Sequence, residues 1–178
     1  MTTVSLGNRW LRRHLVWRGS KTDLWPVLSR PQATDDLAAA LAEPFLGAVD
    51  LVIGPDPGGV LFGPLVARLL RVPFAPVCRD RAFFFAGPHA VVRAETGSGE
   101  LLAHAAAFDR PGRVLLVDDW SESGGTVTGV VDLVASTRAR LIGVSLLVDS
   151  LPLSARELLE SRGVPVRGVA VPHELRRE

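Results

Sequence analysis

The feature that most constrains the fold is an alternation of short apolar runs with segments of helical periodicity. Five apolar runs bounded by Gly, Pro or charged residues are typical of buried strands. They are residues 49–54, 72–77, 113–119, 140–149 and 166–172. Segments with helical spacing of apolar residues follow three of them, at 59–70, 126–137 and 154–162, the last with Ser154 as its expected cap. This alternation predicts an α/β fold, Rossmann-like, with a parallel sheet and helices on both faces.

Two stretches do not follow that alternation. Residues 1–47 mix Arg, Trp and Pro and end in an Ala/Leu-rich helix, for which Asp35 or Asp36 is the expected cap. We expect them to form an N-terminal hood segment in which Trp17 and Trp25 pack. Residues 80–111 contain Gly and Ser at positions that interrupt every helical pattern, which indicates a flexible lid or a hairpin. The length of 178 residues favours one domain over 1–178.

Composition and charge exclude several classes of partner. The net charge of +1 provides no electrostatic basis for binding nucleic acid or an anionic membrane. A single cysteine, Cys78, excludes an internal disulfide and a cysteine-based metal cluster. The N-terminus lacks the long apolar core of a signal peptide, and no apolar run is long enough to span a bilayer. We therefore expect a cytoplasmic protein with small-molecule substrates.

The stretch VLLVDDWSESGGTV, residues 114–127, contains the candidate site. Asp118 and Asp119 end a predicted strand, where parallel sheets bind their ligands. The small residues 123–126 then open a helix, and their backbone N–H groups, hydroxyls and positive helix end suit a phosphate. Ionised carboxylates accept hydrogen bonds from sugar hydroxyls or from the water shell of a cation. The combination points to a phosphorylated ribose with bound Mg²⁺, and it matches neither the Walker nor the G-x-G-x-x-G pattern.

The string VLLVDDWSESGGT resembles the signature of the type I phosphoribosyltransferase family. Three other segments resemble the adenine phosphoribosyltransferases within it: TDLWPVL at 22–28, GVLFGPLVARLLRVPFAPV at 59–77 and AETG at 94–97. The resemblance implies transfer of the 5-phosphoribosyl group of phosphoribosyl pyrophosphate (PRPP) to a nucleobase, a purine such as adenine, with release of pyrophosphate. It also implies Mg²⁺ as cofactor and a homodimer.

The resemblance also implies roles for individual residues. Asp118 and Asp119 would hold the ribose. Trp120 stands where the family prefers leucine, and its position beside the ribose site predicts stacking on the base, with a core or dimer-interface role as the alternative. Glu95 and Arg79 would be catalytic, and Mg²⁺ would enter through PRPP with the two aspartates as candidate protein contacts. The 5-phosphate loop would comprise Glu122, Ser123, Gly124, Gly125 and Thr126. The pyrophosphate loop would comprise Asp56, Pro57, Gly58 and Gly59.

Several positions depart from the family pattern. Gly58, Cys78 and Ala82 stand where the family carries cations, and Thr96 replaces a tyrosine. Arg79 keeps one cation of a pair, and Arg81 and Arg93 are candidates for replacement charge. Two alternatives therefore stay open: a non-catalytic regulatory protein of the same fold that binds PRPP or a nucleotide, and a PRPP-dependent transferase with a non-purine acceptor.

Overall fold

A computed structural model describes residues 2–18, 21–79, 91–96, 99–110, 112–121 and 123–175. The helices are α1 (Thr3–His14), α2 (Trp25–Leu28), α3 (Pro31–Ala42), α4 (Gly58–Leu70), α5 (Gly125–Ala135), α6 (Leu153–Ser161) and α7 (Pro172–Leu175). The strands are β1 (Val16–Arg18), β2 (Lys21–Asp23), β3 (Leu51–Pro55), β4 (Phe74–Cys78), β5 (Val91–Thr96), β6 (Gly99–His104), β7 (Arg113–Trp120), β8 (Arg140–Val148) and β9 (Val166–Ala170). Within these ranges no helix has the length and apolarity to cross a membrane.

The strands form a central sheet in the order β5-β6-β4-β3-β7-β8-β9 and a separate β1-β2 ribbon. The five strands from β4 to β9 in that order run parallel, which confirms the predicted α/β fold. An antiparallel hairpin, β5-β6, extends the sheet by pairing with β4. The hairpin accounts for most of the described part of the predicted lid, whereas residues 80–90, 97, 98 and 111 lie outside the described chain.

The sheet has a helical layer on each face. The first, here called the N-terminal layer, buries α1, α3 and α4 against one face, with Leu37, Leu41 and Phe62 among its members. On the opposite face α5 and α6 cover the sheet through Val130 and Leu159. Burial of each large apolar side chain stabilises the fold by about 1.5 to 3 kcal/mol, so the two layers hold the strand ends in fixed positions.

Three local predictions are wrong. Helix α3 begins at Pro31, so Asp35 and Asp36 lie inside it; Asp36 instead accepts a hydrogen bond from Trp10 Nε1 at 2.8 Å. Ser154 lies inside α6, which begins one residue earlier, after Pro152. Trp25 does not pack, because 72% of it is exposed at the start of α2. Proline fixes a backbone angle suited to a helix start, which explains why the carboxylates and the serine do not cap these helices.

The chain order creates a crevice between β3 and β7. From β3 the chain continues through α4 to β4 on one side, and from β7 it continues through α5 to β8 on the other. Helices α4 and α5 consequently lie on opposite faces of the sheet. Such a switch point leaves an open cleft at the carboxyl ends of the two strands, which is where open α/β sheets bind ligands.

A buried hydroxyl joins the N-terminal layer to the sheet, because Ser145 Oγ in β8 donates to the Leu41 carbonyl of α3 at 2.9 Å. We expect Ser145→Ala to lower the free energy of unfolding by about 1 to 2 kcal/mol, since the buried carbonyl loses a partner. Ser161→Ala removes an exposed hydroxyl bonded within its own helix and is the control. Equal losses for the two variants in denaturant unfolding would contradict this role.

Candidate active site

The two aspartates at the end of β7 are held in different directions. Alternation along the strand turns Asp119 towards α4 and Asp118 towards the α5 face. The Asp119 N–H donates to Asp118 Oδ1 at 2.9 Å, and the Trp120 N–H donates to Asp119 Oδ1 at 2.7 Å. In each carboxylate, Oδ1 therefore accepts a hydrogen bond from the backbone N–H of the following residue.

Burial dominates the electrostatics of this pair. Only 6% of Asp118 is exposed, and loss of water raises its pKa well above the usual range; the neighbouring charge of Asp119 raises it further, while Arg79 opposes the change. Burial also raises the pKa of Asp119, against hydrogen bonds that lower it. Two carboxylates therefore lie where their negative charge is costly, as expected of groups kept for binding.

The start of α4 approaches the aspartates closely, which only glycine permits. A Cβ atom on Gly58 would overlap the carboxyl group of Asp119. A Cβ on Gly59 would lie 2.6 Å from the Val117 carbonyl oxygen of β7. The predicted pyrophosphate loop, which includes the cis peptide Asp56–Pro57, is consequently placed beside the aspartates at the switch point.

Arg79 connects the two predicted anion loops. It follows β4, and its Nη2 donates to Thr126 Oγ1 at 2.7 Å at the start of α5. Its Nη1 lies 3.4 Å from Asp56 Oδ1 in the pyrophosphate loop. The side chain is 36% exposed, so the ion pair itself adds little stability, but the contacts hold a cation between the loops.

The predicted 5-phosphate loop forms the N-terminus of α5. Gly124 has φ +74°, and a Cβ there would lie 2.7 Å from Cβ of Ala155 in α6. Ser123 Oγ accepts from the Gly125 N–H at 3.3 Å. The first N–H groups of a helix lack partners within it and carry the positive end of its dipole, so the loop has the chemistry of an anion site. Glu122, also predicted for this loop, lies outside the described residues.

Trp120 is half-buried beside the aspartates and packs against the N-terminal layer. Its ring meets that of Trp17 in β1 edge to face, with centroids 5.3 Å apart and an interplanar angle of 83°. Trp17 therefore packs as expected, and Trp120 has a core contact in addition to its place at the site. A role in stacking on a base stays a prediction.

The β5-β6 hairpin rests directly on α5. A Cβ on Gly129 would meet Leu101 Cδ1 at 2.9 Å and overlap the Thr96 side chain, so glycine allows this close packing. Glu95 is opposite Glu100 in the hairpin register, and its side chain lies outside the described part of the structure. Arg93 Nη1 is 3.8 Å from Glu100, which places Arg93 in the hairpin rather than beside Arg79.

Cys78 is buried, and burial and the nearby Asp56 raise the pKa of its thiol. The raised pKa gives the thiol little nucleophilic character. Arg81 and Ala82 lie outside the described residues. Sequence reasoning missed the contact of Gly58 with Asp119 and the bridge from Arg79 to Thr126. The Gly-Gly pair directly after a strand was the available signal for the first.

Comparison with known proteins decides the family. The model of the phosphoribosyl transferase domain matches residues 28–169 of this chain, from α2 to β9. The chain belongs to the phosphoribosyltransferase family. The resemblance proposed from the signature is thereby confirmed, and the Asp-Asp and Gly-Gly-Thr residues lie within the matched region.

Curated relatives of this chain are named adenine phosphoribosyltransferases. The adenine phosphoribosyltransferase of Azorhizobium caulinodans is 34% identical over 152 residues, covering 83% of each chain. That of Thermobifida fusca is 35% identical over 138 residues, covering 77% of this chain and 78% of the relative. The chain thus most resembles enzymes named for adenine.

Solved structures share the fold at lower identity. An adenine phosphoribosyltransferase from Trypanosoma brucei, in complex with AMP, pyrophosphate and ribose-5-phosphate, superposes with a TM-score of 0.83 at 19% identity. It covers 100% of this chain and 85% of its own. The enzyme from Rhodothermus marinus has a TM-score of 0.78 at 24% identity, covering 94% and 99%. These likenesses confirm the architecture.

The buried charge of Asp118 predicts that removing this charge stabilises the folded chain. We expect Asp118→Asn to raise the free energy of unfolding at pH 7 by about 1 to 3 kcal/mol, since it removes a buried charge and keeps the Oδ1 acceptor. A raised pKa in the folded state means that the folded chain binds more protons above pH 3.8, the model-peptide value. The increase in the free energy of unfolding caused by Asp118→Asn should therefore vanish below about pH 4 and grow as pH rises.

Urea unfolding at a series of pH values measures this effect, with the exposed Asp132→Asn as control. A gain for Asp118→Asn that is largest at acid pH would contradict the assigned direction of the pKa change.

Proposed function

We propose that this phosphoribosyltransferase transfers the 5-phosphoribosyl group of PRPP to adenine and releases pyrophosphate. The observation that carries the proposal is the pair Asp118 and Asp119 at the β3/β7 switch point, adjacent to a helix N-terminus with small, hydroxyl-bearing residues. A sugar with two hydroxyls and a phosphate satisfies both halves of that site.

Adenine is proposed as the acceptor because the relatives named above are adenine phosphoribosyltransferases. The Trypanosoma brucei enzyme was solved with the product AMP and with pyrophosphate. In this chain the loop at the start of α5 would bind the phosphate of the nucleotide, and the loop before α4 would bind the diphosphate. This support favours the enzyme over a regulatory protein and a purine over another acceptor.

Asp118 and Asp119 would accept hydrogen bonds from the ribose hydroxyls. The 5-phosphate would lie against Ser123, Gly124, Gly125 and Thr126, with Glu122 in the same loop. The diphosphate would lie against residues 56–59, the loop that Gly58 brings beside Asp119. The two anions would thus be held at opposite ends of the sugar, which fixes the anomeric carbon between them.

In the reaction a ring nitrogen of adenine donates its electron pair to the anomeric carbon. The bond from that carbon to the pyrophosphate oxygen breaks, its electron pair leaves with pyrophosphate, and the acceptor nitrogen loses its proton. Positive charge develops on the sugar, and the adjacent buried carboxylates stabilise it electrostatically. Glu95, in the hairpin that packs on α5, is the proposed general base that accepts this proton.

The cation side of the site relies on Arg79. Where the family pattern has an arginine, Gly58 contacts the Asp119 carboxyl group, so the position has no room for a side chain. Arg79 lies between Asp56 and Thr126, from where its guanidinium can pair with the diphosphate once it leaves Asp56. We therefore propose it as the catalytic cation.

Mg²⁺ fits the donor set, because the site contains two carboxylates whose burial leaves their negative charge poorly compensated. When bound with PRPP, the ion would offset charge on the leaving pyrophosphate. Asp118 and Asp119 are the protein groups nearest to that role.

The proposal has three further parts. The whole chain acts as one phosphoribosyltransferase domain in the cytoplasm. Trp120 forms one wall of the base site.

Two copies pair through the exposed face of α4, where Val60 is 36% and Leu61 43% exposed. Apolar side chains of this kind on one helix face are suited to a dimer interface.

The deciding experiment measures pyrophosphate release from PRPP and Mg²⁺ with a panel of nucleobases, together with PRPP binding by calorimetry. We expect release with adenine and formation of AMP. Release with a different base alone would support the non-purine alternative. Binding of PRPP without release for any base would support the regulatory alternative, and absence of binding would remove the site assignment.

The close approach at Gly58 provides a direct test of the ribose site. We expect Gly58→Ala to weaken PRPP binding about ten-fold or more, because the added methyl displaces the Asp119 carboxylate from its position. Gly112→Ala is the control, since a Cβ there lies 3.5 Å from its nearest neighbour. Calorimetry with PRPP and Mg²⁺ measures the effect, and unchanged affinity in a folded Gly58→Ala protein would contradict it.

The hairpin acid is tested by Glu95→Gln. If Glu95 acts in the transition state, kcat falls about ten-fold or more while the Kd for PRPP stays within about two-fold. Glu100→Gln changes the residue opposite it in the hairpin and serves as control. Equal falls in kcat for the two variants would assign the effect to the hairpin as a whole rather than to Glu95.

A further inference from the structure

We propose that Trp17 is a positioning residue of the acceptor site: it sets the orientation of the Trp120 ring and so determines how tightly the base is held. The inference rests on the proposed function and extends it to a residue far from the signature. Trp17 lies in the β1-β2 ribbon, more than a hundred positions before Trp120 in the chain.

The anchoring of Trp17 is visible in its contacts. Its Nε1–H donates to the carbonyl of Leu175 in α7 at 3.3 Å, which ties the ribbon to the buried end of the C-terminal helix. Its ring then meets that of Trp120 edge to face at 5.3 Å. Both rings are partly buried against the N-terminal layer. An indole fixed at both its N–H and its ring presents a rigid surface to the neighbour it contacts.

The ribose carboxylates do not need this support. The Asp118 carboxylate accepts a hydrogen bond from the Asp119 backbone N–H, and the Asp119 carboxylate lies against Gly58. The backbone N–H of Trp120 completes that arrangement without involving its ring. Loss of Trp17 therefore frees the Trp120 ring while leaving the PRPP side of the site in place.

The position of the Trp120 ring makes it a surface for the acceptor. It comes directly after the two carboxylates at the end of β7, and a base joined to the anomeric carbon must lie beside the ribose that those carboxylates hold. Bases stack on aromatic side chains with little dependence on hydrogen bonding. The ring orientation set by Trp17 therefore controls the affinity for the acceptor rather than for PRPP.

The experiment compares Trp17→Phe and Trp17→Leu, both large and apolar, with Trp25→Ala as control. Trp25 belongs to the same N-terminal segment but is 72% exposed at the start of α2. Steady-state assays give the KM for adenine and for PRPP. Calorimetric titration with AMP gives the Kd for AMP, which does not depend on turnover. Thermal unfolding checks that each variant is folded.

We expect Trp17→Leu to raise the KM for adenine and the Kd for AMP about two- to ten-fold, the size of an edge-to-face aromatic pair. The KM for PRPP should stay within about two-fold. Trp17→Phe should recover most of the loss, because a ring edge still meets Trp120, and Trp25→Ala should resemble the unchanged chain.

The proposal is overturned if Trp17→Leu leaves both values unchanged, if it raises the KM for PRPP as much as that for adenine, or if Phe and Leu behave alike. Failure of the proposed function looks different: the unchanged chain then makes no AMP. In that case the AMP titration still compares the affinities of the variants. If the chain without substitutions binds no AMP, both the proposed function and the role of Trp17 are overturned.

Discussion

The rest of the structure depends on two adjacent negative charges placed where water is largely excluded. A single buried carboxylate is costly, and a second one beside it raises that cost. The fold offsets part of this free-energy cost locally through the backbone N–H groups of residues 119 and 120, the Arg79 charge and the close approach of α4. The two helical layers supply the stability that allows such a pair to persist.

The glycines at the start of α4 link this electrostatic arrangement to the sheet. Since Gly58 and Gly59 have no side chains, α4 begins in contact with both β3 and β7. Position 58 therefore cannot hold a cationic side chain, because the Asp119 carboxyl group occupies the space that such a side chain would need. Arg79 supplies positive charge from β4, the next strand of the sheet.

Much of this was predictable from the sequence, and the limits have physical reasons. Apolar runs marked the five parallel strands, because a strand buried on both faces leaves a continuous hydrophobic signal. The hairpin was ambiguous, since Gly and Ser in a long segment suit a lid as well as a turn. The caps at Asp35 and Ser154 were wrong because a nearby proline sets the helix start. The contacts of Trp17 and Arg79 join residues distant in sequence, and only the tertiary fold determines them.

The seat of the hairpin on α5 has a mechanical consequence. Gly129 lies four residues beyond Gly125, and the hairpin packs on it through Thr96 and Leu101. The segment carrying Glu95 and the helix that begins at the predicted phosphate loop are therefore in direct contact. A larger side chain at 129 would push the hairpin away from α5 and change the spacing between Glu95 and the predicted phosphate loop, although residue 129 lies three residues beyond the end of that loop.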